Sequence, residues 1–243
     1  MTFKINAICN MDCLKGMKGM NDKCVDISIT SPPYNLGSDK YESYDDNRGD
    51  YREFIINVIN EMIRVTKHYS FFNFQMLKDN QLVYLEIMHR FRYNIKDIII
   101  WHKKRPVNCS PKECLTPLYE FILVLCERYK TSSKKYEYSF FNNEDIGNVI
   151  HGHSSTATKE METNRGTNKA TFPLYIPLWF INKFTKVGDL VFDPFTGSGT
   201  TALACKQTDR NFFGYEIDYE QCVHARERLS QTRINKFGLS NYT

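Results

Sequence analysis

Two short turns carry the residue types that could do chemistry. The first, Thr30-Ser31-Pro32-Pro33-Tyr34-Asn35, follows the apolar run Val25–Thr30. Its prolines lack backbone donors and fix φ, which stiffens the turn and leaves carbonyls free to accept. Ser31 adds a hydroxyl acceptor and Tyr34 a flat aromatic face. An ordinary proline turn has the same composition, so the chemistry depends on what stands opposite.

The second turn is Asp193-Pro194-Phe195-Thr196-Gly197-Ser198-Gly199-Thr200-Thr201, between an apolar strand and a helix that runs through Lys206. Gly197 and Gly199 let the backbone approach a ligand and adopt dihedrals that other residues resist. The following helix start offers unpaired N–H groups and a positive dipole end, suited to a carboxylate. Asp193 is placed to face an ammonium group. The next strand ends at Glu216, where an acidic side chain accepts from ribose hydroxyls. Together these groups describe a nucleoside carrying an amino acid, as S-adenosylmethionine is. A tight turn with a solvated glutamate would explain the same residues without a ligand. The G-x-G-x-x-G spacing and the G-K-[ST] of a phosphate loop are both missing, which disfavours a dinucleotide or triphosphate.

Alternating apolar strands and amphipathic helices must position these turns. Strands are expected at Phe3–Ile8, Val25–Thr30, Tyr69–Phe74, Ile95–Trp101, Phe121–Cys126, Leu190–Phe192 and Asn211–Ile217. Helices are expected after Asp12, at Arg52–Val65 and Gln81–Phe91, around Leu174, Leu178 and Ile181, after Gly199, and at Tyr219–Leu229. This order predicts an α/β fold with a doubly wound, mainly parallel, Rossmann-like sheet; α+β is the rival. Leu36–Asp50 reads as a long polar loop and Lys103–Pro117 as a basic one. Residues 131–170 form a polar insert with only brief apolar patches such as Val149-Ile150.

The chain has 243 residues, 42% of them hydrophobic, and a formal net charge of +4. One domain can bury a core at this length. The charge excludes a basic-tail protein and otherwise decides little. None of the 8 cysteines forms a C-x-x-C pair or has a histidine at zinc-finger spacing, so no metal site is expected. Scattered thiols and the lack of an apolar leader or spanning segment predict a cytoplasmic protein with no membrane contact.

TSPPY early and DPFTGSGTT late, joined by TSPPYN, IIIWHKK, TFPLYIP, GYEID and the ARERL helix, resemble the amino-methylating DNA methyltransferases. These are the N4-cytosine and N6-adenine enzymes in their circularly permuted, beta-class order, and the resemblance covers nearly the whole chain. It implies a single catalytic domain with 131–170 as the inserted target-recognition region. It also implies that the strands before the two turns lie side by side at the topological switch point. Ser31, Pro32, Pro33 and Tyr34 become catalytic: Ser31 Oγ and the Pro32 carbonyl accept the amine's N–H bonds, and Tyr34 stacks on a flipped-out base. The cofactor is S-adenosylmethionine. Asp12 and Cys13 resemble the contacts to its adenine ring, with helix capping as the other reading, and Phe172-Pro173 resembles the motif lining its methionine end. Asp193 to Thr201 and Glu216 complete the cofactor site. No Pro-Cys dipeptide occurs, which argues against ring-carbon methylation. Within the family, S-P-P-Y leans to N4-cytosine and D-P-P-Y to N6-adenine, while Asn35 is common among adenine enzymes; cytosine is favoured. Double-stranded DNA is the expected partner, with Lys103, Lys104 and Arg105 on its phosphates, or else on a merely solvated loop. A homodimer and a cognate restriction endonuclease are further partners that the resemblance allows. His151 and His153 are expected on the surface or facing DNA.

Overall fold

A computed structural model describes residues 4–35, 48–77, 80–104, 115–128, 135–142, 147–152 and 173–231. Eight strands form one sheet: β1 (Ala7–Asn10), β2 (Val25–Thr30), β3 (Thr66–Phe74), β4 (Ile95–Lys103), β5 (Tyr119–Leu125), β6 (Val149–Gly152), β7 (Leu190–Asp193) and β8 (Asn211–Glu216). Their spatial order is β1-β8-β7-β2-β3-β5-β4-β6, and β5 alone runs against the others. Among the described residues the helices are α1 (Cys13–Lys18), α2 (Tyr51–Val65), α3 (Gln81–Arg90), α4 (Tyr175–Phe184), α5 (Thr200–Gln207) and α6 (Tyr219–Gln231).

The pleat sorts side chains onto two helical layers. Phe72 and Phe74 of β3, Leu123 and Leu125 of β5, and Phe192 of β7 pack under α1, α2 and α3. The residues between them, such as Phe71, Ile122, Val124 and Val191, pack under α4 and α5. This is the doubly wound α/β arrangement expected from the sequence. Helix α2 shows the local logic. Phe54, Ile55, Val58, Ile59, Met62 and Val65 recur at helical spacing and are all buried. Burying each such side chain contributes about 1.5–3 kcal/mol. The helix stops at Thr66, whose extended backbone starts β3 directly.

Several boundaries differ from the sequence reading, among them β3, which begins at Thr66 rather than Tyr69, and β5, which begins at Tyr119 rather than Phe121. Strand β1 begins at Ala7 rather than Phe3, because Asn6 has a left-handed backbone (φ 58°) that breaks the extended run. Strand β4 continues to Lys103, because it is paired on both sides, to β5 and to β6. The apolar patch Val149-Ile150 lies in β6, an edge strand parallel to β4. Within the polar insert, the stretch 135–142 is docked as well: Tyr69 Oη accepts from the Glu137 backbone N–H at 2.9 Å, and Tyr138 stacks on His68 with centroids 3.7 Å apart. Residues 36–47, 131–134, 143–146 and 153–170 lie outside the described residues. Among the described residues no helix is long and apolar enough to cross a membrane.

Candidate active site

Strands β2 and β7 are hydrogen-bonded neighbours in parallel, with Ile27 opposite Val191 and Ser28 opposite Phe192. The chain leaves β2 toward β3 on one side and leaves β7 toward β8 on the other, so the switch point lies between them. Both turns therefore open at one carboxyl edge. A direct bond ties them: Thr30 Oγ1 donates to Asp193 Oδ1 at 2.8 Å.

Asp193 is 3% exposed and acts as a strut. Its other oxygen accepts from Thr201 Oγ1 at 2.6 Å, and Oδ1 also accepts from the Phe195 N–H at 3.0 Å. Both carboxylate oxygens thus accept from the protein itself, which gives Asp193 an inward role in holding the two turns together. Burial pushes its carboxyl up to about 6, against the three hydrogen bonds that pull it down. The folded state thus holds this proton more tightly than the unfolded chain. Its contribution is fully present below the ordinary carboxylate range, roughly pH 4, and is lost as pH rises to about 6. We expect Asp193→Asn, uncharged throughout, to gain melting temperature relative to the parent as pH rises through that window. A difference that moves the other way contradicts the assignment.

The glycine turn is held from several sides. Gly197 (φ 50°) and Gly199 (φ 81°) sit in the left-handed region. The Gly197 N–H donates to Glu216 Oε2 at 2.8 Å, and the Asp218 N–H donates to Oε1 at 2.9 Å. Burial raises the Glu216 carboxyl above its ordinary value, with these two N–H bonds opposing. Helix α5 starts at Thr200 without a side-chain cap, which leaves its first-turn N–H groups for a ligand. Thr196, Ser198, Thr200 and Thr201 are buried, as is Pro194, while Phe195 and Gly197 are partly exposed. Arg228 of α6 donates to the Ser198 carbonyl at 3.0 Å and steadies the loop from outside. At the next strand over, Asn10 of β1 lies opposite Glu216. Asp12 then caps α1 by accepting from the Lys15 N–H at 2.8 Å, and Cys13 is buried in the core. The structure thus gives Asp12 the capping role beside Glu216. Pro173 is buried ahead of α4; Phe172 lies outside the described residues.

The proline turn is held just as firmly. The Pro33 carbonyl accepts from Tyr51 Oη at 2.7 Å, and the Tyr34 carbonyl accepts from Asn80 Nδ2 at 3.1 Å. Among the described residues no hydrogen bond reaches the Pro32 carbonyl. Ser31 Oγ lies 3.1 Å from Tyr34 Oη and accepts from Asn73 Nδ2 at 3.2 Å. Tyr34 Oη donates to Glu120 Oε2 at 2.9 Å and accepts from Asn73 Nδ2 at 2.9 Å.

Asn73 and Glu120 are site residues that sequence reasoning missed. Their signal was a polar residue interrupting an apolar strand, as in FFNF and YEFILVL. Lys103, expected on an open loop, lies in a strand instead. It ends β4, and its ammonium pairs with Glu120 Oε1 at 2.6 Å, with the two side chains 13% and 8% exposed. Lys104 is exposed, and Arg105 lies outside the described residues. His102 and His151 face each other with Nδ1 atoms 3.1 Å apart; His153 lies outside the described residues. No group of three metal-ligating side chains occurs among the described residues.

Fold and crevice together define a Rossmann-like methyltransferase. Residues 25–227 match the DNA methylase family, and the chain belongs to it. It is an amino-methylating DNA methyltransferase in the permuted, beta-class order. The type II methyltransferase M.HpaI of Haemophilus parainfluenzae is 28% identical over 234 residues, covering 91% of this chain and 73% of that protein. M2.MboI of Moraxella bovis is 24% identical, covering 90% and 86%. Among solved structures, the PvuII DNA methyltransferase (cytosine-N4-specific) aligns with a TM-score of 0.73 at 18% identity, covering 97% of this chain and 90% of that one. M1.HpyAVI, solved in complex with SAM, aligns at 0.62 and 23% identity, covering 92% and 98%.

Proposed function

We propose that this protein methylates the exocyclic N4 of cytosine at a specific site in double-stranded DNA, with S-adenosylmethionine as methyl donor. One observation carries the reading. The Thr30–Asp193 bond fixes the amine-accepting turn beside the glycine turn, at the edge where β2 and β7 end.

The donor set suits that cofactor. Glu216 keeps lone pairs beyond its two backbone partners for ribose hydroxyls. The first turn of α5 offers N–H groups to an amino-acid carboxylate. Asp12 and Cys13 stand beside Glu216, on the side where an adenine ring would lie, and Pro173 leads into α4 near the methionine end. When bound, the cofactor supplies a methyl group already activated on a sulfonium.

The protein's part is positioning and electrostatics. An exocyclic amine shares its lone pair with the ring and is a poor nucleophile. Ser31 Oγ and the otherwise unpaired Pro32 carbonyl accept its N–H bonds, which favours a tetrahedral nitrogen. Pro33 holds the turn through Tyr51. The Tyr34 ring, pinned by its hydroxyl, stacks on the flipped base. The proton leaves to water. Lys104 and Arg105 serve the DNA phosphates, and the 131–170 insert reads the sequence. A cognate endonuclease and a second copy of the chain are partners of the same reading.

N6-adenine is the second reading. It rests on Asn35, whose side chain accepts from the Arg48 N–H at 2.6 Å beside the proline turn. Methylated-site sequencing of DNA from cells expressing the protein separates the two. We expect N4-methylcytosine at one short motif. N6-methyladenine there supports the second reading, and an unmodified genome contradicts both.

A further inference from the structure

Strand β5 runs against its neighbours, so its first residues reach the edge where β2, β3 and β4 end. Glu120 lies opposite Trp101 of β4, and Ile122 lies opposite both Asn73 of β3 and Ile99 of β4. Two-residue periodicity then sends Asn73, Lys103 and Glu120 to one face of the sheet, the face of Phe71, Ile99, Trp101 and Ile122. The result is a largely buried polar cluster joined to the proline turn, running Ser31–Tyr34–Glu120–Lys103 through contacts of 3.1, 2.9 and 2.6 Å.

A base presented here brings more than its amine. Cytosine and adenine both carry a ring nitrogen acceptor beside the amino carbon. In a pocket closed to water that acceptor needs a donor, or its desolvation is uncompensated. Among the described residues four side chains of this cluster carry donors: Ser31, whose hydroxyl faces Tyr34 Oη at 3.1 Å, Asn73, Tyr34 and Lys103. Asn73 Nδ2 has two hydrogens and three acceptors within reach: Ser31 Oγ, Tyr34 Oη and Glu120 Oε2 at 3.2, 2.9 and 2.6 Å. Tyr34 spends its hydrogen on Glu120. Lys103 has three ammonium hydrogens. One serves Glu120 Oε1, and the Trp101 ring, 5.1 Å from Nζ, offers only its π face.

We infer that Lys103 is a specificity-determining residue that donates to the ring nitrogen beside the target amine, with Glu120 as the positioning residue that holds both Lys103 and Tyr34. This rests on the amino-methylation reading above and deepens it. It reassigns Lys103 from the phosphates to the base itself.

The test crosses a protein change with a base change. Duplexes carry the target as cytosine or as 3-deazacytosine, which lacks the ring nitrogen (1-deazaadenine, if the target is adenine). The enzymes are the parent and the double variant Lys103→Met/Glu120→Gln, which leaves neither charge buried alone. Cofactor-binding titration checks that the variant is folded. The parent should prefer the natural base by on the order of 10- to 100-fold in kcat/KM, and the variant should lose most of that preference. Comparing preferences cancels the intrinsic difference in amine reactivity. A variant that keeps the full preference overturns the inference. A variant that keeps the preference but loses about one unit of salt slope returns Lys103 to the phosphates. A parent that methylates neither duplex overturns the functional reading itself.

Discussion

Ser31→Ala is expected to lower the single-turnover methylation rate by about two to three orders of magnitude, the scale for removing one preorganised partner of a transition state. Cofactor affinity should stay at the parent value, because Ser31 touches neither the glycine turn nor Glu216. The hydroxyl is fixed between Asn73 and Tyr34 before any substrate arrives, so it needs no reorganisation when the amine changes shape. The fall should appear in kcat and kcat/KM alike, since the contact strengthens only as the nitrogen becomes tetrahedral. Thr30 and Asp193 still tie the two turns in this variant, so a melting temperature near the parent value separates lost chemistry from lost structure. A variant that methylates DNA at the parent rate removes Ser31 from the mechanism.

Gly214→Ala should have the largest effect on the cofactor side. Gly214 lies on β8 opposite Asp193, two residues before Glu216. A Cβ there would stand 2.1 Å from Thr196 Oγ1 and 2.8 Å from the Asp193 carbonyl. The threonine hydroxyl could turn away, at the loss of its 3.1 Å bond to that same carbonyl. The carbonyl is backbone and cannot move without shifting the strut on which both turns depend. Overpacking of this kind costs about 1–3 kcal/mol, a fall of several degrees in melting temperature. The displaced turn should also weaken cofactor binding beyond what the stability loss explains. Titration calorimetry and thermal melts on Gly214→Ala read both. Unchanged cofactor affinity would mean that the β8 backbone does not shape that site.

Both turns were legible because their signals are local. An apolar strand followed by prolines or by glycines announces itself within ten residues, and the α2 stripe does so at helical spacing. Their adjacency came from the family resemblance, and the β2–β7 pairing supplies its physical basis. What stayed hidden depended on register between distant segments. Glu120 reaches the site only because β5 is antiparallel, and nothing in YEFILVL states its direction. Lys103 reads as the start of a basic loop until β6 pairs with β4 and extends the strand to its last residue. The bonds from Thr30 and Thr201 to Asp193, which tie the two turns together, join segments that the sequence keeps more than 160 residues apart or does not orient. In each case the residue type was visible and its partner was not.

The most direct test of the account is methyl transfer in a purified system. The protein is incubated with unmodified DNA and S-adenosylmethionine labelled in its methyl group, and the DNA is digested to nucleosides. The account predicts label in N4-methyldeoxycytidine and none on the ring carbon. Label in 5-methyldeoxycytidine, or in no nucleoside at all, would contradict it.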